Sequence, residues 1–146
     1  MCGIVGYIGK SDGQKFVLNG LEKLEYRGYD SSGIVTVSDN RLHLTKKKGR
    51  LQVLRDELEQ HPLRGHLALG HTRWATHGAP SDVNAHPHTD EKSEFAIVHN
   101  GIIENFAELR EQLEARGHKF RSDTDTEVVA HLIEETYDGN LRDAVA

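Results

Sequence analysis

The only cysteine of the chain stands second, in Met1-Cys2-Gly3-Ile4-Val5-Gly6. Removal of Met1 would set the Cys2 thiol beside its own α-amino group, so that one residue carried both nucleophile and base. An α-amino group titrates near pH ~8 and a thiol near ~8.5, and at neutral pH a useful fraction of the amine is free to take the thiol proton. No histidine or aspartate is then required. A lone cysteine is more often a small buried hydrophobe without chemistry. What favours the chemical reading is the apolar run over residues 4–8, bounded by glycines, which reads as a buried strand able to hold the terminus rigidly.

Three further polar clusters follow apolar runs and could meet the thiol at the ends of one sheet. Asn100-Gly101 comes after the run at residues 95–98. By itself it reads as a turn; beside a nucleophile, a side-chain amide and the next backbone N–H make a two-donor hole for a tetrahedral oxyanion, the requirement of acyl transfer. Arg73, with Trp74, Thr76 and His77 close behind it, offers a two-pronged grip on a carboxylate as well as the ordinary reading of a surface ion pair. Asp125 either caps a helix or holds an ammonium. A carboxylate grip and an ammonium grip together describe an α-amino acid, and a thiol with an oxyanion hole would attack its side-chain amide. Glutamine or asparagine fits. A rival reading, a metal bound by His71, His77, His86, His88 and His99, lacks a regular helical or strand spacing and a companion carboxylate. Ordinary hydrogen bonding within a loop suits those histidines better.

The elements that must position these groups alternate. Ser11-Asp12 can cap a helix with Phe16, Val17, Leu21 and Leu24 inward. A polar loop over residues 26–33 precedes a hairpin of residues 34–37 and 42–44, with Lys46-Lys47-Lys48 as its solvated end. Leu51, Leu54 and Leu58 mark a short helix stopped near Pro62, and residues 67–69 form a strand leading into the Arg73 motif. Residues 78–93, with two of the three prolines, are expected to be a long ordered loop or a lid. A strand at residues 95–98 precedes a helix capped by Asn105, with Phe106, Leu109 and Leu113 inward and Gly117 as its stop. Ser122 to Glu127 opens another helix, burying Val128, Val129, Leu132 and Ile133. Strands flanking helices, with hairpins, predict an α+β layered sandwich, not a doubly wound parallel sheet. No phosphate-binding glycine loop is present.

The 146 residues, 36% hydrophobic and 28% charged, suit one soluble domain, residues 1–146. A net charge of −5 argues against nucleic acid as a partner, and no apolar run approaches a membrane span or a signal peptide. A single cysteine excludes an internal disulfide. A cytoplasmic protein is expected.

Six blocks together resemble the N-terminal glutaminase domain of the glutamine–fructose-6-phosphate aminotransferases. They are the Cys2 terminus, Glu25-Tyr26-Arg27-Gly28-Tyr29-Asp30-Ser31, His71-Thr72-Arg73-Trp74-Ala75-Thr76-His77-Gly78, Asn84-Ala85-His86-Pro87-His88, His99-Asn100-Gly101-Ile102-Ile103-Glu104-Asn105 and Thr124-Asp125-Thr126-Glu127. The resemblance implies a four-layer αββα sandwich of the N-terminal-nucleophile hydrolase type, hydrolysing glutamine through a Cys2 thioester without a cofactor. It implies Asn100 and Gly101 as the oxyanion hole, Arg73 and Asp125 on the glutamine α-groups, Trp74, Thr76, His77 and His86 around the pocket, and Arg27 near the nucleophile. In the whole enzyme, expected to be a homo-oligomer, fructose 6-phosphate is used by a sugar-isomerase module that this chain lacks. The resemblance also sets residues 141–146 in a helix midway through the glutaminase domain, leaving the sandwich incomplete at its C-terminus. A non-catalytic fragment or binding module keeping only the amino-acid pocket is the competing reading.

Overall fold

The computed structural model describes residues 1–146. Four antiparallel strands, β1 (Gly3–Ile8), β2 (Ser31–Ser38), β3 (Arg41–Lys48) and β4 (Leu67–Arg73), form one sheet in the order β1-β4-β2-β3. Helices α1 (Gly13–Lys23) and α2 (Leu51–Gln60) cover one face. Val17, Leu18 and Leu21 of α1 and Leu51, Leu54 and Leu58 of α2 meet Ile34 and Ala68 of the sheet in a single apolar core. Full burial of such side chains stabilises by about 1.5–3 kcal/mol each, which fixes the sheet under the helices.

Beyond the other face lies a two-stranded sheet, β5 (His88–Thr89) with β6 (Ala96–Ile97), and then the helices α3 (Phe106–Ala115), α4 (Glu127–Thr136) and α5 (Leu141–Val145). Helices, sheet, sheet, helices: the expected αββα layering is present, and the antiparallel α+β reading is borne out. Between the two sheets runs an apolar cleft of about 700 Å³, lined among others by Val35, Leu69, Phe95, Ile97, Ile133 and Leu141.

Several local expectations are corrected. Phe16 faces outward, 55% exposed and against the Tyr7 ring, while Leu18 takes the inward position and Leu24 is half-buried. Asp12 precedes α1 without capping it; its carboxylate accepts from Gly65 N–H at 3.1 Å and from Arg64 at 3.1 Å, tying the helix start to the segment before β4. Residues 31–33 are strand, not loop, because Ser31, Ser32 and Gly33 pair with both β3 and β4. Lys46 is not a free strand end, since its ammonium donates to Val83 O at 2.8 Å and burial lowers its pKa to about 8. The strand expected at 95–98 shrinks to two residues. Asp90 explains this: its carboxylate accepts from the N–H groups of Lys92, Glu94 and Phe95, closing a tight turn that leaves only β5 and β6 to pair. The segment 78–93 is ordered in the sense that its second half, residues 84–90, is buried.

Candidate active site

Strand β1 begins one residue after Cys2 and pairs with β4, Gly3 opposite Thr72, so the thiol lies beside the end of the strand that carries Arg73. The backbone N–H of Trp74 donates to Cys2 Sγ at 3.2 Å, and Sγ lies 3.7 Å from Trp74 O. The Met1 ammonium is anchored on the carbonyls of Arg27 at 2.8 Å and Gly28 at 3.0 Å, and the Arg27 guanidinium reaches Met1 Sδ at 3.3 Å. That accounts for the Tyr-Arg-Gly block: it receives the terminus. Asp30, from the same block, supports the turn after β4 by accepting from Ala75 N–H at 2.5 Å and Ser31 Oγ at 2.9 Å.

A cavity of about 260 Å³ is lined by Cys2, Arg73, Trp74, Thr76, His86, His99, Gly101, Ile102, Asp125 and Thr126. Of the residues singled out in the sequence, Cys2, Arg73, Trp74, Thr76, His86, Gly101 and Asp125 converge there. Asn100 stands at its edge, donating from Nδ2 to Cys2 O at 3.3 Å. His77 lies behind the wall, edge-on to Phe106 at 4.8 Å and with Nδ1 3.9 Å from Asp125 Oδ1. Arg27 is not part of the lining; it touches Met1 instead.

Arg73 is 3% exposed. Its Nη2 donates to the carbonyls of His77 and of Gly78, the latter at 3.0 Å, whereas Nη1 has no partner in the chain. A buried guanidinium with an unused arm is costly unless a ligand takes it. Burial lowers the Arg73 pKa, against the opposing charges of Asp30, Cys2 and Asp125. Asp125, 4% exposed, spends Oδ2 on Ile103 N–H at 2.7 Å and keeps Oδ1 available. Gly101 has φ +147, a backbone that L side chains rarely adopt, and its N–H makes no bond within the chain. That N–H is free to donate to an oxyanion.

Sequence reasoning missed His71. It is fully buried on β4 and its Nε2 lies 2.7 Å from Asn100 Oδ1. Burial lowers its pKa to about 4, so near neutrality the ring is uncharged and Nε2–H is the donor that turns the Asn100 Nδ2 group toward Cys2. His86 stacks on His71 at 4.2 Å and meets His88 edge-on at 4.6 Å. Gly33 permits this packing, since a Cβ there would lie 2.1 Å from His86 O. Asn84 fastens the same loop to the segment bearing Asp125, accepting from Asp123 N–H at 2.9 Å and donating to Ala79 O at 2.9 Å. His99, weighed in the sequence only as a metal ligand, and Ile102 and Thr126, not singled out there, also line the cavity next to singled-out residues. Their adjacency was the only signal.

The buried histidines predict acid sensitivity. Burial is the largest cause holding His71 near 4, His88 near 3 and His86 lower still, all below the ordinary 6.5. As pH falls below 6.5 the unfolded chain takes up protons that the folded chain refuses until its own lower pKa values, so stability drops across that interval. For His71 alone the loss at pH 5 is roughly 2 kcal/mol. Denaturant unfolding at pH 7 and pH 5 checks this; equal midpoints would contradict it, and His71→Asn should narrow the difference.

The model of the glutamine amidotransferase domain family matches residues 58–144, more than half of the chain. The chain belongs to that family. It is 57% identical over 145 residues to the glutamine–fructose-6-phosphate aminotransferase [isomerizing] of Thermus thermophilus, covering 99% of this chain and 24% of that protein. The same named enzyme of Aquifex aeolicus gives 57% over the same coverage. Among solved structures, the glutamine phosphoribosylpyrophosphate amidotransferase of B. subtilis superposes with TM-score 0.81 at 30% identity, over 99% of this chain and 31% of that one. An allosteric regulatory enzyme of purine biosynthesis gives TM-score 0.83 at 31% identity, over 99% of this chain and 32% of that one. The chain thus spans about a quarter of the length of the curated relatives it matches. The resemblance read from the six sequence blocks is borne out. No helix is long and apolar enough to cross a membrane.

Proposed function

We propose that this glutamine amidotransferase domain hydrolyses glutamine to glutamate and ammonia through a thioester on Cys2. The observation that carries the reading is the meeting, around one cavity, of the thiol, the free Gly101 N–H, the unpaired Nη1 of buried Arg73 and the open oxygen of Asp125. After loss of Met1 the Cys2 amine takes the thiol proton, Sγ attacks the side-chain carbonyl carbon, and the C–O π pair moves onto oxygen. Asn100 Nδ2 and Gly101 N–H receive that oxyanion. Collapse of the intermediate breaks the C–N bond, and the proton held by the amine leaves with ammonia. Water, deprotonated by the same amine, then attacks the thioester carbonyl, the C–S bond breaks to release glutamate, and the amine returns its proton to the departing Sγ. Arg73 takes the substrate α-carboxylate and Asp125 its α-ammonium, while Trp74, Thr76 and His86 form the walls with His77 behind them.

We also propose that residues 1–146 are the N-terminal part of a longer glutaminase domain. In the whole protein its ammonia converts fructose 6-phosphate to glucosamine 6-phosphate at a separate isomerase module, in a cytoplasmic homo-oligomer. The names and lengths of the relatives support this, as does the apolar cleft between the sheets, a seat for further strands.

The test is product analysis with Met1-free protein. Equal release of glutamate and ammonia from glutamine, with a transient mass gain on Cys2, is expected. Glutamine binding without release would favour the non-catalytic module. Arg73→Lys should raise KM and leave kcat within a few-fold, because a point charge replaces a fork; a fall in kcat at unchanged KM would refute the assignment. Asn100→Ala should do the reverse, lowering kcat by about 10²–10³ with little change in KM.

A further inference from the structure

A second group of ligand-type side chains lies where the turn after α3 meets the middle of α4, and none of them lines the Cys2 cavity. Helix α3 ends on Gly117 at φ +99, and His118 N–H turns back to Leu113 O at 3.1 Å, which carries the His118 ring toward α4. His131 and Glu134, three residues apart, share one face of that helix. His118 Nδ1 is 3.1 Å from His131 Nδ1 and 3.4 Å from Glu134 Oε2, and His131 Nδ1 is 3.8 Å from the same oxygen. A tetrahedral ion with bonds of about 2.0–2.2 Å separates its ligand atoms by roughly 3.3–3.6 Å. The three edges bracket that length.

The surroundings orient each ligand. The far nitrogen of His118 faces Glu135 Oε1 at 3.2 Å, and that of His131 faces Glu127 Oε1 at 3.6 Å. Glu135 bonds the far nitrogen of His118 and turns its Nδ1 inward, whereas Glu127 stands behind His131 without a hydrogen bond to Nε2, placed where a carboxylate supports a metal-bound histidine. Glu127 is fixed in turn by the N–H groups of Arg121 at 2.8 Å and Ser122 at 2.7 Å. His131 is fully buried, and the His118 and Glu134 side chains are each 13% exposed. Lys92 takes Glu134 Oε1 at 3.1 Å, leaving Oε2 buried without any hydrogen bond. Two imidazole Nδ1 atoms and a carboxylate oxygen without a hydrogen bond thus converge within 3.8 Å, and with both Nδ1 atoms unprotonated a cation takes all three.

We propose that His118, His131 and Glu134 bind one divalent cation of the zinc class, with water in the fourth position. The site clips the turn after α3 to α4, the helix whose start carries Asp125 and Thr126 to the Cys2 cavity. Its role is structural, since no ligand touches the glutamine pocket.

The test titrates Zn²⁺ against the Cys2→Ala protein, in which the thiol cannot compete, using a chromogenic chelator as competitor. One equivalent bound at micromolar or tighter affinity is expected, with a thermal midpoint that stops rising at one equivalent. Co²⁺ in its place should give visible absorption of four-coordinate intensity. Glu127→Gln, behind His131, should weaken binding by about 10–100-fold, and His118→Ala and Glu134→Gln by at least as much, with unchanged far-ultraviolet circular dichroism in the metal-free state. Absence of stoichiometric binding to the parent protein would overturn the proposal and leave the group as an ion-pair network around a protonated His118. Binding that survives both His118→Ala and Glu134→Gln would overturn it as well.

Discussion

Protein that retains Met1 is expected to bind glutamine and not to hydrolyse it, with turnover lower than that of the processed form by on the order of 10⁵ or more, the scale on which loss of a nucleophile–base unit is felt. With Met1 present the nitrogen of Cys2 is an amide and cannot accept the thiol proton. No side chain replaces it, because both contacts recorded for Sγ are with the backbone of Trp74, and no histidine is hydrogen-bonded to it. The Met1 ammonium cannot serve either, since it is tied to the carbonyls of Arg27 and Gly28. Those two acceptors lose their donor when Met1 leaves, and the new amine of Cys2 starts one residue away from them. Intact mass would establish the terminus of each preparation, and a glutaminase assay would compare them. Equal rates with and without Met1 would eliminate the N-terminal base.

The groups to which chemistry is assigned were legible in the sequence because each is a strand-end or helix-start motif whose residue types have few other uses together. Arg73 at the end of β4, Gly101 with its positive φ and Asp125 before α4 all lie where local pattern set them. What local pattern could not supply is pairing across distance. His71 looked like another residue of a histidine-rich loop; only the packing of the segment after β6 against β4 brings it to Asn100, 29 residues further on. The shortness of β5 and β6 depends on the Asp90 carboxylate capturing three N–H groups, which apolar periodicity does not register. Phe16 is expected inward with Val17 and Leu21, but the buried stripe of α1 runs through Val17, Leu18 and Leu21, which turns Phe16 to the rim against Tyr7. The His118, His131 and Glu134 group was invisible for the same reason as His71: a glycine-ended turn and a helix face come together only in three dimensions.

Cys2→Ala is expected to abolish hydrolysis while glutamine affinity stays within a few-fold. In the proposed mode the substrate is held by its α-groups, and the residues assigned to them owe nothing to the sulfur: Arg73 is fixed by the carbonyls of His77 and Gly78, and Asp125 by Ile103 N–H. The oxyanion donors persist too, since Asn100 is oriented by His71 and anchored on Cys2 O, a backbone atom the substitution keeps. What is removed is the only atom that can form the thioester. The free amine and the oxyanion hole could still assist direct attack by water, but removing a nucleophile from such a unit costs on the order of 10⁶ in rate. The folded state loses little, because Sγ contributes only one long contact and one accepted N–H, both at Trp74. Calorimetry with glutamine and a discontinuous glutamate assay on the same sample separate the outcomes. Lost binding would mean that the thiol helps to hold the substrate, and turnover within about 10³ of the parent would mean that another group performs the attack.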